Sequence, residues 1–310
     1  MRHVHLFRTL LLVSLPCMAL VTPASANSVT VPASQVARTA ESLIASARNG
    51  TAIDVEMYEF TNPKLAQALI AAKRKGANVR VIMDASYTGD NATASMLTNA
   101  GIPVRRMHVG SDGYTDIDHV KFLLVGHSIA LGGVNWGTGS GYTTDEDLEI
   151  TNAKLAKEGE QFFSYDWRQA QTAHYVRDSR FFPPIDGIQL LTDNRIEPAL
   201  LAALQSAQSS IEVSMFAMDR STLRSALIAA QQRGVTVTAK LDGHYEKYLN
   251  QAAYNKLKAA GIHVQFAPYS EVLHAKMVNI DNGRILIVGS ANWTNSGMLY
   301  NHELDVKISD

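Results

Sequence analysis

Apolar and polar positions along this chain follow one pattern twice. Ile53-Asp54-Val55-Glu56-Met57-Tyr58 and Ile211-Glu212-Val213-Ser214-Met215-Phe216 alternate with the period of a strand. Leu65 to Lys75 and Leu223 to Arg233 then follow a helical period, each closed by a glycine, Gly76 or Gly234. A second strand follows in each copy, at Val79–Asp84 and Val235–Asp242. Short helices at Met96–Ala100 and Lys256–Ala260 precede Gly101-Ile102 and Gly261-Ile262. Apolar runs at His119–Val125 and Ser128–Leu131 match those at His274–Ile280 and Ile285–Val288. Each copy closes on an acidic strand, Asp147-Leu148-Glu149 or Asn301-His302-Glu303.

Each half therefore reads β-α-β-α-β, then a hairpin and a final strand. Strands alternating with helices predict an α/β fold, a sheet flanked by helices, built twice. The repeat begins near residue 35, and the halves are placed at 27–182 and 183–310. Phe181-Phe182-Pro183-Pro184 marks the crossing, because two prolines do not continue a helix. Ala153 to Ala173 predicts a helix without a counterpart, expected to pack across the two halves through Phe162, Phe163 and Trp167.

The first 26 residues read as a leader. Arg2 and Arg8 flank a positive start, Thr9 to Val21 is apolar, and Ala24-Ser25-Ala26 offers small residues for cleavage before Asn27. The apolar stretch is shorter than the ~20 residues of a spanning helix. The expectation is an exported protein, periplasmic or secreted, with no transmembrane segment after processing. Cys17 is the single cysteine and leaves with the leader, so disulfides, thiolate metal sites and a cysteine nucleophile are excluded. The formal net charge of −1 becomes −3 when Arg2 and Arg8 are removed. That is unlike the strong positive excess of a dedicated nucleic-acid binder, although net charge does not report distribution.

The chemistry is carried by two copies of one constellation. His119-Val120-Lys121 leads to Gly132-Gly133-Val134-Asn135-Trp136, and His274-Ala275-Lys276 leads to Gly289-Ser290-Ala291-Asn292-Trp293. Histidine and lysine two apart on a strand point to one face. Two such half-sites facing each other can hold a phosphate between two imidazoles. A neutral imidazole attacks phosphorus and divides one hard step into two. A protonated one delivers the leaving group's proton, typically for ~10²–10⁴-fold. Lysine ammonium and asparagine amide groups meet the charge on the non-bridging oxygens.

These motifs resemble the phospholipase D superfamily, whose signature is His-x-Lys-x4-Asp followed by Gly-Ser-x-Asn. The second half matches at His274, Lys276, Asp281, Gly289, Ser290 and Asn292. The first matches at His119, Lys121, Gly132 and Asn135, and departs at Gly126 for aspartate and Gly133 for serine. The resemblance implies two pseudo-twofold-related halves with mixed sheets and a phosphodiesterase that needs no metal or cofactor. It implies His119 as nucleophile, His274 as general acid, and Glu149 and Glu303 each accepting a hydrogen bond from one histidine. Asp281 and Ser290 are supporting residues, Asp281 as part of a turn. The expected substrate is a phospholipid headgroup, with membrane-surface contact; exported nucleases of the same family make DNA or RNA the alternative. A catalytically inactive phosphate-binding module is the third reading, motivated by Gly126 and Gly133.

Other residues have blander readings. Trp136 and Trp293 are expected to pack beneath the site, and Lys73-Arg74-Lys75 to be a solvated helix end. Arg105-Arg106 is a candidate phosphate-groove lining. Tyr58, Glu59 and Phe216 are open between substrate contact and core packing. The remaining histidines, His302 among them, are expected at the surface or satisfied in the core, with no metal set.

Overall fold

A computed structural model describes residues 28–110, 116–172 and 175–310. The expected leader at 1–26 and its cleavage point lie outside the described residues, as does His174.

The first half runs β1 (Ser28–Pro32), α1 (Ala33–Ser46), β2 (Ala52–Met57), α2 (Pro63–Arg74), β3 (Asn78–Asp84), α3 (Asn91–Asn99), β4 (Val104–Met107), β5 (Lys121–Val125), β6 (Ser128–Gly132), β7 (Glu146–Thr151) and α4 (Ala153–Gln169). The second runs β8 (Ile188–Thr192), α5 (Ile196–Ser206), β9 (Ser210–Met215), α6 (Ser221–Gln232), β10 (Thr236–Leu241), α7 (Lys247–Ala259), β11 (His263–Phe266), β12 (Lys276–Ile280), β13 (Ile285–Gly289), α8 (Asn295–Leu299) and β14 (Leu304–Ser309). The fold is α/β, with two similar halves.

Each half is a seven-stranded mixed sheet, in the orders β1-β7-β6-β5-β2-β3-β4 and β8-β14-β13-β12-β9-β10-β11. β2, β3 and β4 pair in parallel, and the hairpin strands add antiparallel to β2; the second sheet repeats this. The repeat thus extends further than the periodicity predicts, since β1 and α1 match β8 and α5, and β4 matches β11.

Local chemistry accounts for the elements. α1 buries Val36, Ala40 and Ile44 at helical spacing. α2 opens with the Asn62 side chain accepting from the Lys64 amide and Pro63 in the first turn. β5 alternates between two cores: Leu123 and Val125 join the helix-covered core of the first half, whereas Phe122 and Leu124 join a core shared by both halves. That shared core sets Leu148, Phe162 and Phe163 against Met277, Val288 and Val306. α4 supplies Phe162 and Phe163 to it, the cross-half role expected of this helix.

Candidate active site

The histidines stand just before β5 and β12, and each is held by the opposite half. The His119 amide donates to the His302 carbonyl at 2.9 Å, and the His302 amide to the Ile117 carbonyl at 2.9 Å. Across the pseudo-twofold, the His274 amide donates to the Thr144 carbonyl at 2.9 Å, and the Thr144 amide to the Val272 carbonyl at 2.8 Å. These two short bridges, Asp118 to His302 and Leu273 to Thr144, link the sheets where the imidazoles sit.

The rings are clamped crosswise too. His119 Nδ1 lies 3.0 Å from Glu303 Oε2, and His274 Nδ1 lies 2.7 Å from Asp145 Oδ2. Glu303 is completed by the Ser290 hydroxyl at 2.6 Å and the Asn301 amide at 3.0 Å. A carboxylate on Nδ1 fixes the tautomer and frees Nε2 for chemistry.

Glu149 is not the second clamp. It lies on β7, opposite Val29 of β1 and Ala130 of β6, and is half-buried there. The registers explain the correction. Gly132 is opposite Asp147 and Gly289 is opposite Asp305, so Asp147 matches Asp305 and Asp145 matches Glu303. Matching glutamate to glutamate misaligned the strands by four residues. The acid-x-Asp pattern shared by Asp145-Glu146-Asp147 and Glu303-Leu304-Asp305 was the signal that finds Asp145.

The same pairing explains one departure from the motif. A Cβ on Gly133 would sit 2.6 Å from the Asp145 carboxylate oxygens. The second half uses a longer acid with a serine, and the first a shorter acid with no side chain opposite. The other departure is a turn. Gly126 takes φ +57°, whereas Asp281 accepts from the amides of Gln208, Ser209 and Ser210 and pairs with Arg284 at 2.6 Å. Asp281 lies seven residues past His274, about 20 Å along an extended strand. It closes a turn, as expected.

Lys121 and Lys276 are both buried. Lys121 Nζ donates to the His119 carbonyl at 2.6 Å and lies over the Tyr58 ring at 5.2 Å. Lys276 Nζ lies against the His274 ring, 2.8 Å from Nδ1 and 3.1 Å from Nε2, and 5.2 Å from the Phe216 centroid. Tyr58 and Phe216 pack on the two imidazoles, at 5.2 and 4.7 Å between centroids.

Burial sets the charges. It pulls Lys121 down to about 7 and Lys276 down to about 8. Burial, with Lys276 alongside, holds His274 down to about 4, and burial lowers His119 against the pull of Glu303. Burial pushes Glu303 up, but its contacts with His119, Lys121 and the Ser290 hydroxyl outweigh it and hold it down to about 2. Each histidine also feels the other half's lysine, which brings both half-sites into one electrostatic unit.

His274 opens onto a cleft of about 320 Å³ lined from both halves, including Asn135, Glu59 and Ser140 from the first and Phe216, Tyr245 and Val272 from the second. Asn292 holds the position equivalent to Asn135, after β13, and both amide oxygens are buried without a partner. Trp136 and Trp293 are core residues, as expected. Arg105 and Arg106 do not line a free groove. Arg105 stacks on Trp167 at 3.9 Å, and Arg106 binds Asp90 and Asn91 at 2.7 Å each.

Comparison with known proteins gives this geometry its context. The family model described as "Cardiolipin synthase, PLD-like domain" matches residues 41–167 and 200–310. Mitochondrial cardiolipin hydrolase of Xenopus tropicalis is 31% identical over 134 residues, covering 42% of this chain and 60% of that protein. Cardiolipin synthase A of Escherichia fergusonii is 24% identical over 292 residues, covering 80% of this chain and 58% of that protein. The chain thus spans about three fifths of the length of these curated relatives. Among solved structures, polyphosphate kinase from Porphyromonas gingivalis superposes with TM-score 0.66 at 14% identity, over 91% of this chain and 44% of that one, a likeness of fold. Two half-sites on a duplicated sheet, matched by this family model over most of the length, make the chain a member of the phospholipase D superfamily.

Proposed function

We propose that the protein is an exported phospholipase D-type hydrolase that cleaves the headgroup phosphodiester of phospholipids through a phosphohistidine. The reciprocal clamps, His119 with Glu303 and His274 with Asp145, each made across the boundary between the halves, carry this reading. His119 Nε2 attacks phosphorus, and the bond to the leaving oxygen breaks. His274 donates the proton that oxygen takes. Water then attacks phosphorus, the N–P bond breaks, and His274 takes the proton back. Lys121 and Lys276 balance the charge on the non-bridging oxygens, and Asn135 and Asn292 direct amides to them. The residues supply nucleophile, acid and charge, so no step calls on a metal.

One observation favours the reverse order. His274 is held to about 4, and a nucleophile must be neutral. Part of that depression comes from Lys276, which a bound phosphate neutralises, so His274 regains proton affinity when substrate arrives. We therefore assign the attack to His119. Enzyme quenched in alkaline denaturant after brief exposure to substrate, and digested at alkaline pH to preserve the N–P bond, is expected to yield the phosphopeptide containing residue 119; phosphate on the 274 peptide reverses the roles.

Lipid is favoured by the names of the relatives and by exposed tyrosines. Tyr245 beside the cleft is 68% exposed, and Tyr142 and Tyr269 are also exposed. Tyrosine offers an apolar body and a polar tip, which suits a lipid–water boundary. Among the described residues no helix is long and apolar enough to cross a membrane. Phosphatidylcholine vesicles, cardiolipin vesicles and plasmid DNA offered in parallel test the substrate class, with and without an added alcohol acceptor. Headgroup release from vesicles with intact DNA is expected. Cleaved DNA with intact lipid makes the protein a nuclease, and no reaction with either makes it a binding module. His119→Ala and His274→Ala are each expected to lower turnover by at least ~10³-fold, since removal of nucleophile or acid leaves only binding and charge. Export predicts a mature amino terminus at Asn27 in the extracytoplasmic fraction, read by terminal sequencing.

A further inference from the structure

A second buried polar cluster lies between the halves, apart from the groups assigned to the reaction. Glu56 on β2, Asp166 on α4 and His302 before β14 are all fully buried. One ligand-capable atom from each lies within 4.8 Å of the others. His302 Nε2 is 3.4 Å from Glu56 Oε1 and 3.4 Å from Asp166 Oδ2. Neither oxygen of Glu56, neither oxygen of Asp166, nor His302 Nε2 has a hydrogen-bond partner.

The far side of the imidazole is held by two acceptors. The Tyr175 hydroxyl donates to Asp193 Oδ2 at 2.8 Å, so its oxygen is an acceptor toward His302 Nδ1, 2.6 Å away. Asp193 Oδ1 is a second acceptor at 3.0 Å from Nδ1. Nδ1 therefore carries a proton. Nε2 faces two carboxylates, so this space calls for positive charge, supplied either by a second ring proton, which burial opposes and Asp193 and Asp166 favour, or by a bound cation. Ligands bonded to one tetrahedral ion at ~2.0–2.1 Å stand about 3.4 Å apart. The two Nε2–oxygen separations have that value.

The duplicated fold provides an internal control. Through the matched registers, Glu56 corresponds to Ser214, His302 to Thr144, and Asp193 to Ala33, which occupies the place after β1 that Asp193 occupies after β8. α4, which carries Asp166, has no counterpart among the described residues. The equivalent residues in the other half are themselves uncharged, with Lys240 and Glu146 lining the space beside them, so the repeat does not itself demand carboxylates and a histidine at these places.

We propose that Glu56, Asp166 and His302 bind a divalent transition-metal ion, with zinc favoured by the imidazole and carboxylate donors. Asp193 and Tyr175 orient the histidine, as a carboxylate does for a metal-bound imidazole. The ion pins the first half, through β2 and α4, to the second, through the strand that also carries Glu303. Its role is structural, and the inference holds for either substrate class.

The test uses the whole purified protein, dialysed against metal-free buffer and analysed for first-row metals. About one ion per chain is expected, and Co²⁺ replacement is expected to give visible absorption bands of a nitrogen–oxygen site. Glu56→Gln and Asp166→Asn are expected to lower Zn²⁺ affinity by about tenfold or more. Zn²⁺ is expected to raise the thermal midpoint of metal-depleted wild type and leave the variants unmoved. If a variant does not fold, the metal content and Co²⁺ spectrum of the wild type decide. Folded wild type that holds no metal and shows no zinc-dependent shift would overturn the proposal, leaving shared protons or a buried water in that space.

Discussion

Asp145 and Glu303 reach the same nitrogen on opposite imidazoles with side chains of different length. The shorter acid is possible because Gly133 leaves its carboxylate room, and the longer one is braced by Ser290. Asp145→Asn is expected to lower kcat about 10²-fold or more, because the ring loses its orienting anion. Glu149→Gln is expected to leave kcat within about twofold, as for a surface change. Steady-state kinetics on both variants checks the pairing; equal losses would remove it. The same residues contribute an acid-sensitive share of stability. His274 titrates near 6.5 when unfolded and about 4 when folded, so the unfolded chain takes up the proton first. The stability linked to neutral His274 is therefore present above pH 6.5 and is lost as pH falls toward about 4. Glu303, lowered from 4.5 to about 2, extends the loss below pH 4.5. Buried Asp147 and Asp305, raised to about 8, contribute the opposite trend, so the quantity to measure is the thermal midpoint of wild type relative to His274→Asn, which should fall from pH 7 to pH 4. The histidines, lysines and asparagines were legible in the sequence because identical residues recur at matched places. Asp145 was not, since its partner is a different residue and the compensating glycine carries no side chain to notice.

Among the elements, α4 has the largest structural consequence. It has no repeat partner, and it inserts Phe162 between Phe122, at 5.4 Å, and His302, at 5.7 Å between ring centroids. Phe162→Ala is expected to cost about 3–5 kcal/mol of unfolding free energy, the range for a buried aromatic truncated in a core. Denaturant unfolding measures it, and a loss under about 1 kcal/mol would mean the shared core does not depend on this helix. The central strands were readable because they are buried along their length and mostly apolar, with Lys121, Lys276 and Asn279 the polar exceptions. The edges were harder. β4 is four residues, Val-Arg-Arg-Met, whose arginines bind Trp167, Asp90 and Asn91 and so mask its strand character. β1 is a short edge strand set by its pairing with β7, a long-range contact that periodicity does not contain.

At the scale of the molecule, each half tunes the other. Glu303 raises the proton affinity of His119, and both the Asp145 and Glu303 clamps cross the boundary. Glu303→Gln should therefore lower the His119 pKa further, an effect visible in histidine NMR titrations although the substituted residue lies in the other repeat. An unmoved His119 resonance would show that the pair does not form in solution. Duplication made the two-sheet architecture legible, because it supplied two readings of each element. It concealed the buried His302 cluster, where the copies differ most and no second reading existed.

The covalent link between the two halves has one more consequence. A lone repeat would present an imidazole without its anchoring acid and would need to find a second copy by diffusion. Tethering removes that step, since the local concentration of one repeat around the other is set by chain length and not by abundance. Specific activity should then stay constant on serial dilution, however sparse the protein becomes.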